Sequence, residues 1–280
     1  MNFALIGGFN FAAAVLVAPI ATLSARIAGL RAPMLLGCIC LPGGFIAASF
    51  ASCVWHLYLS QGILVGIGVG LIYIPATAVI PQWFSQRRSL ANGICSAGSG
   101  IGGLIMCFAT GAMLDQVGVA WSLRITAVVV FFVNLAATLL VRSRNHTVQP
   151  AQRIFDWRLM SFYQVNLLLL WSFTIMFGYI TLMFSLPDYA LTIGRSSADS
   201  SIVAAILNLG TAVGRPLIGL ASDRFGRVEV SAVLTLVCAL LIFVMWLPTL
   251  NYGTLLAFAF ISGGILGIFW AVSLHIQCRL

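Results

Sequence analysis

The sequence predicts an all-α, polytopic membrane protein, and three observations carry that prediction. Its 280 residues are 61% hydrophobic and only 7% charged, where soluble domains carry about a quarter charged residues. Nine apolar runs are separated by short loops, each near the roughly 20 residues that cross a hydrocarbon core about 30 Å thick. The arginines sort onto alternate loops, as they do in proteins whose orientation is set by basic residues.

The runs lie at about 3–22, 34–52, 57–80, 92–113, 119–141, 162–184, 201–221, 231–248 and 253–274. The first reads as a membrane span rather than a secretory signal. No basic residue precedes it, and its apolar core exceeds the roughly 7 to 15 residues of a signal sequence. With an N-terminus outside, Arg26, Arg31, Arg87, Arg88, Arg142, Arg144, Arg153, Arg158, Arg224, Arg227 and Arg279 share one side, and only Arg124 and Arg195 take the other. The larger set marks the cytoplasm.

The net charge of +8 therefore reflects topology, and nucleic-acid binding is not expected. All fourteen basic residues are arginine, which excludes lysine Schiff bases and phosphate-loop lysines. The seven cysteines, Cys38, Cys40, Cys53, Cys95, Cys107, Cys238 and Cys278, lack the paired spacing of a disulfide framework or metal site. His56, His146 and His275 are dispersed. No metal and no bound cofactor are expected. No buried nucleophile and base lie within the spans, so the chain does not read as an enzyme.

The most specific stretch is GLASDRFGR, with Gly219, Asp223, Arg224, Gly226 and Arg227 between the seventh and eighth runs. Glycine at 226 suits a tight turn, Asp223 can cap exposed N–H groups, and the arginines suit helix ends. About 198 residues earlier, ATLSARIAGLR joins the first two runs, with Ala25 and Arg26 in the places of Asp223 and Arg224. A decayed copy at that offset implies two related halves.

These features resemble the major facilitator superfamily, whose six-helix halves carry such a loop between their second and third helices. PQWFSQRRSLANGICSAGSGIGG (81–103) is similar to the segment entering the fifth helix of monocarboxylate-transporter-like members, and LPDYALTIG (186–194) and GRPLIG (214–219) resemble fungal proteins of that branch. The resemblance implies a helical bundle of the major facilitator type. It assigns 1–142 to an N-terminal half of five spans, 143–160 to a cytoplasmic linker and 161–280 to an incomplete C-terminal half of four. It matches the nine runs to family helices two through ten, so that helices one, eleven and twelve are expected to be absent. A transport-inactive or incompletely described relative is therefore an alternative at this stage.

Arg215 is the residue that composition alone does not explain. Seven residues before Ser222, it stands about 10 Å from the cytoplasmic end of its run, and an arginine at a helix centre costs about 2.5 to 3.5 kcal/mol on insertion scales. The resemblance implies that it faces a central cavity and binds a substrate anion. Asn208 and Thr211 share its helical face, and Tyr73, Tyr179 and Trp270 are aromatic candidates for the same cavity. Gln61 and Trp171 are weaker ones. Monocarboxylate transporters carry a proton-coupling aspartate where this chain has Thr211. The six acids, Asp115, Asp156, Asp188, Asp199, Asp223 and Glu229, all fall in loops or at run ends.

The GxGxxG at Gly98, Gly100 and Gly103 lies inside an apolar run with no preceding strand, so it reads as helix packing rather than dinucleotide binding. Gly62, Gly66 and Gly70, and likewise Gly263 and Gly267, form packing stripes. The expectation is a transporter of a small organic solute, a monocarboxylate or similar anion, working by alternating access in the plasma membrane. Its partners are that solute and the bilayer, and the sequence does not set an oligomeric state. Asp223, Arg224 and Arg227, with Gly219 and Gly226, are expected to form a cytoplasmic gate.

Overall fold

Helix is the sole regular structure among the described residues of the computed structural model, which are 2–84, 86–142, 161–249 and 251–267. Seven of these helices are long and apolar enough to cross a membrane, against the nine expected. Two causes account for the difference. Arg88–Leu140 covers the fourth and fifth runs as two helices that meet at Gly118, at φ 75° and ψ 174°, and counts once among the seven. The ninth run is described only as far as 267, where it includes the helix Tyr252–Leu266, and its remainder lies outside the described residues.

The outer surface is apolar in a way only lipid tolerates. Phe173 and Phe177 are 71% and 70% exposed, and they stand one turn apart on the helix Tyr163–Thr192. Large side chains so placed in water would form an adhesive patch.

The chain divides by packing into two units. One holds 1–83 and 113–156, the other 84–112 and 157–280. Each is described by itself. This division differs from the sequence halves, because residues 84–112 pack with the later part of the chain.

In the first unit, glycines set how closely helices approach. A Cβ on Gly66 would stand 2.5 Å from the Asn10 carbonyl oxygen, one on Gly70 would stand 2.5 Å from that of Ala14, and one on Gly62 would meet the Phe9 side chain. The 62/66/70 stripe is therefore the face that receives the helix Asn2–Leu16. Asn10 adds a hydrogen bond from Nδ2 to the Gln61 carbonyl at 2.9 Å. Arg124 is tied down by a bond to Ser49 Oγ (3.1 Å) and by the rings of Phe50 and Trp121.

In the second unit, Leu182, Leu186, Val203, Leu207, Leu255 and Phe258 belong to one buried cluster. The helix Ser197–Phe225 runs through it. Ser196 and Asp199 form a reciprocal capping box at its start, and Gly226, at φ 96°, ends it in a conformation that other residues rarely adopt. Trp171 Nε1 donates to Thr235 Oγ1 at 3.3 Å, a packing contact between neighbouring helices.

Candidate functional site

The helix Ser197–Phe225 is wedged between two neighbours of its own unit, and small residues make the wedge possible. Toward the segment 84–112, a Cβ on Gly93 would lie 2.5 Å from the Arg215 carbonyl oxygen, and one on Gly100 would lie 2.6 Å from the Ala212 nitrogen. One on Gly103 would strike the Asn208 amide. Toward Tyr252–Leu266, Gly210 abuts the Phe260 backbone, Gly214 abuts Gly264, and Gly263 abuts Leu207. Contact at this distance places side chains of the middle helix directly on backbone oxygens of its neighbours.

Arg215 uses that proximity. The residue is 5% exposed. Its Nη1 donates to the Ser96 carbonyl at 2.7 Å and to Ser99 Oγ at 2.5 Å, while Ser99 Oγ donates to the Ser96 carbonyl at 2.9 Å. Its aliphatic stem passes Gly267, where a Cβ would stand 2.7 Å from Arg215 Cγ. The carbonyl and hydroxyl orient this end of the guanidinium. Tyr179 is half-buried on the helix Tyr163–Thr192 of the same unit.

The expected face divides at this wedge. Asn208 turns toward 84–112, donating from Nδ2 to Ala204 O at 2.9 Å and to Cys107 Sγ at 3.6 Å. Thr211 turns the other way, its hydroxyl placed 3.0 Å from Leu207 O and 3.1 Å from Gly263 O. Tyr73 is half-buried in the helix Val65–Thr77 of the other unit. Trp270 lies outside the described residues. Sequence reasoning missed Ser96 and Ser99, whose signal was a pair of hydroxyls three residues apart within a small-residue stretch. It also read Gly98, within the GxGxxG, as a helix-packing residue, yet a Cβ there would meet nothing within 4 Å.

The terminal motif is a second site. Asp223 Oδ1 accepts from the Ser89 N–H at 3.2 Å and Oδ2 from the Leu90 N–H at 2.9 Å. These N–H groups belong to the first turn of the helix Arg88–Leu140, where the helix itself supplies no acceptor, so the carboxylate both caps that helix and meets the positive end of its dipole. Arg227 completes the arrangement, donating from Nε to Ser89 Oγ at 2.9 Å, with Nη2 3.8 Å from Asp223 Oδ1. Gly219 fits against the Ser89 carbonyl. Arg224 points elsewhere, over the Phe225 ring. Arg88 donates to the Phe84 carbonyl at 2.8 Å, an anchoring contact within its own loop. Among the described residues no cluster of three potential metal ligands occurs.

Residues 2–277 match the family model described as Major Facilitator Superfamily. The chain is similar to "Probable transporter MCH2" of Saccharomyces cerevisiae, at 32% identity over 286 residues covering 100% of this chain and 60% of that protein. It is also similar to "Uncharacterized transporter ESBP6" of the same yeast, at 35% identity over 279 residues, 95% of this chain and 42% of that protein. "MFS-type transporter opdF" of Penicillium oxalicum is 29% identical over 251 residues, 86% of this chain and 58% of that protein. The chain thus spans between about two fifths and three fifths of these relatives' lengths.

Proposed function

The chain belongs to the major facilitator superfamily, and from that premise we propose that it serves a secondary transporter of small organic anions, monocarboxylates being the first class to test. One observation carries the reading: a buried arginine in a membrane helix has its Nη1 oriented by the Ser96 carbonyl and the Ser99 hydroxyl. A guanidinium held in that way attracts a carboxylate and matches it with two parallel donors. Asn208 and Tyr179 are the neighbours proposed to shape the site. Thr211 acts in this reading through the position of the helix, because its hydroxyl faces the Gly263 and Leu207 carbonyls.

The proposed cycle is alternating access, with net transport driven by the solute gradient. The Asp223, Arg227 and Ser89 contact supplies a latch that forms in one state and parts in the other. Gly219 permits the close approach, Gly226 makes the turn, and Arg224 lies beside the latch. The plasma membrane is the proposed location, and the sequence halves 1–142 and 161–280 remain the proposed evolutionary division.

The test is uptake of radiolabelled pyruvate by yeast lacking its own carboxylate carriers and expressing the full-length protein. Arg215→Leu is expected to abolish saturable uptake while the tagged protein still reaches the membrane. Normal KM in that variant overturns the anion-binding role. A green-fluorescent fusion confined to internal membranes overturns the location.

A further inference from the structure

We propose that the first unit carries a binding site for the phosphate of an anionic phospholipid, in a notch of about 450 Å³ lined by Ala28, Gly29, Leu30, Arg31, Val141 and Arg142. The notch follows from a turn. Gly29, at φ 83°, lets the chain reverse between the helices Ala18–Ile27 and Arg31–Ala48, which brings Arg31 to the end of the helix Arg88–Leu140. There Arg31 Nη2 donates to the Leu139 carbonyl at 3.1 Å and the Val141 carbonyl at 3.4 Å. The opposite wall is fixed by Trp83, whose Nε1 donates to the Arg142 carbonyl at 3.1 Å.

Two exposed guanidinium groups therefore line one concavity, and none of the six lining residues is acidic. An anion is the chemistry they recognise. The flanks say which anion. Ile27 and Leu140, adjoining the notch on two different helices, are 78% and 80% exposed. A ligand with a negative head and apolar tails matches both features, its phosphate against the arginines and its acyl chains along Ile27, Leu139 and Leu140. Trp83 beside it is the residue type enriched at the headgroup level. The arginine bias assigns this end to the cytoplasmic leaflet, where anionic lipids concentrate. Free phosphate would satisfy the arginines and leave the apolar flank unused, so the site commits to lipid.

The experiment uses the purified full-length protein in neutral detergent, with bound lipid read by native mass spectrometry. Phosphatidylserine and phosphatidylcholine of identical chains are titrated, and inorganic phosphate is a third arm. The expected result is at least a tenfold preference for phosphatidylserine that millimolar phosphate does not displace. Arg142→Gln is expected to lower the preference about fivefold, the factor contributed by one arginine near the surface. Arg31→Gln is a poorer probe because it also removes the bonds to Leu139 and Val141. Arg195→Gln, which makes the same change in net charge, is expected to leave the preference intact. Equal binding of the two lipids, full preference in Arg142→Gln, or an equal loss in Arg195→Gln overturns the site. Displacement by phosphate at the lipid's own concentration overturns the lipid as its source.

Discussion

The hydroxyl of Ser99 lies 2.5 Å from Nη1 of Arg215, and its own proton is directed to the Ser96 carbonyl. The hydroxyl is thus a fixed acceptor for the guanidinium. Its position, on a helix that approaches Ser197–Phe225 at glycine distance, sets where the charge points.

Ser99→Ala removes this acceptor while leaving the Ser96 carbonyl. A hydrogen bond to a charged group contributes about 1.5 to 3 kcal/mol, and part of that is expected to appear as weaker substrate binding. The expected outcome is a KM for pyruvate raised about tenfold, or about 1.4 kcal/mol, with Vmax held within twofold. Ser99→Thr restores the hydroxyl and is expected to recover the KM. A fall in Vmax at constant KM, or no rescue by threonine, rejects the positioning role for Ser99 while leaving the role of Arg215 to its own variant.

Asp223 caps two backbone donors and faces a helix dipole, a combination that serves both stability and gating. Loss of such a cap costs about 0.5 to 2 kcal/mol. Asp223→Ala is expected to lower the melting temperature of the purified protein by a few degrees and to reduce Vmax more than KM. Asp223→Asn keeps an acceptor oxygen but discards the charge, so it is expected to fall between the two. If Asp223→Ala melts and transports like the parent protein, the latch is ornamental.

Gly98 and Gly100 provide a matched pair, two residues apart on one helix. A Cβ on Gly98 meets open space, whereas one on Gly100 would stand 2.6 Å from Ala212 N and 2.7 Å from Asn208 O. Helical Gly→Ala in open space gains about 1 kcal/mol, so Gly98→Ala is expected to melt slightly higher. Gly100→Ala must push two helices apart and is expected to melt lower and lose uptake. Equal melting temperatures in the two variants contradict the packing described for Ser197–Phe225.

The same pair explains what could be read in advance. Helix class and the approximate span boundaries follow from apolar length, which a one-dimensional pattern preserves, and the 62/66/70 stripe follows from its four-residue period. Which glycine of a GxGxxG faces a neighbour depends on the rotation of the helix, and periodicity does not fix rotation. The spacing of Asn208, Thr211 and Arg215 puts them on one helical face. That face proved to be a wedge with two neighbours, which sends Thr211 toward Gly263 and Arg215 toward Ser99. Capping by Asp223 was legible because aspartate has few other uses beside a helix end, but its recipients, Ser89 and Leu90, lie more than 130 residues away in sequence. Spans four and five are separated in the sequence by a short break between apolar runs, and the backbone separates them at one residue, Gly118.

Proton coupling supplies the last prediction. Carrying a proton across requires a group that can bind it within the membrane, and the position one turn before Arg215 is Thr211, whose hydroxyl does not ionise in the physiological range. Of the acids in described positions, Asp115, Asp188 and Glu229 are exposed, while Asp199 and Asp223 cap helices. Pyruvate uptake is therefore expected to vary less than twofold between external pH 5.5 and 7.5, a range in which the substrate stays ionised, and to survive a protonophore. Thr211→Asp would place a carboxylate one turn from the guanidinium and is expected to make uptake pH-dependent, provided that the contact to Gly263 tolerates it. Uptake by the parent protein that rises steeply with acidity and collapses with the protonophore means that a proton carrier exists elsewhere in the protein and that the Arg215 site works with it.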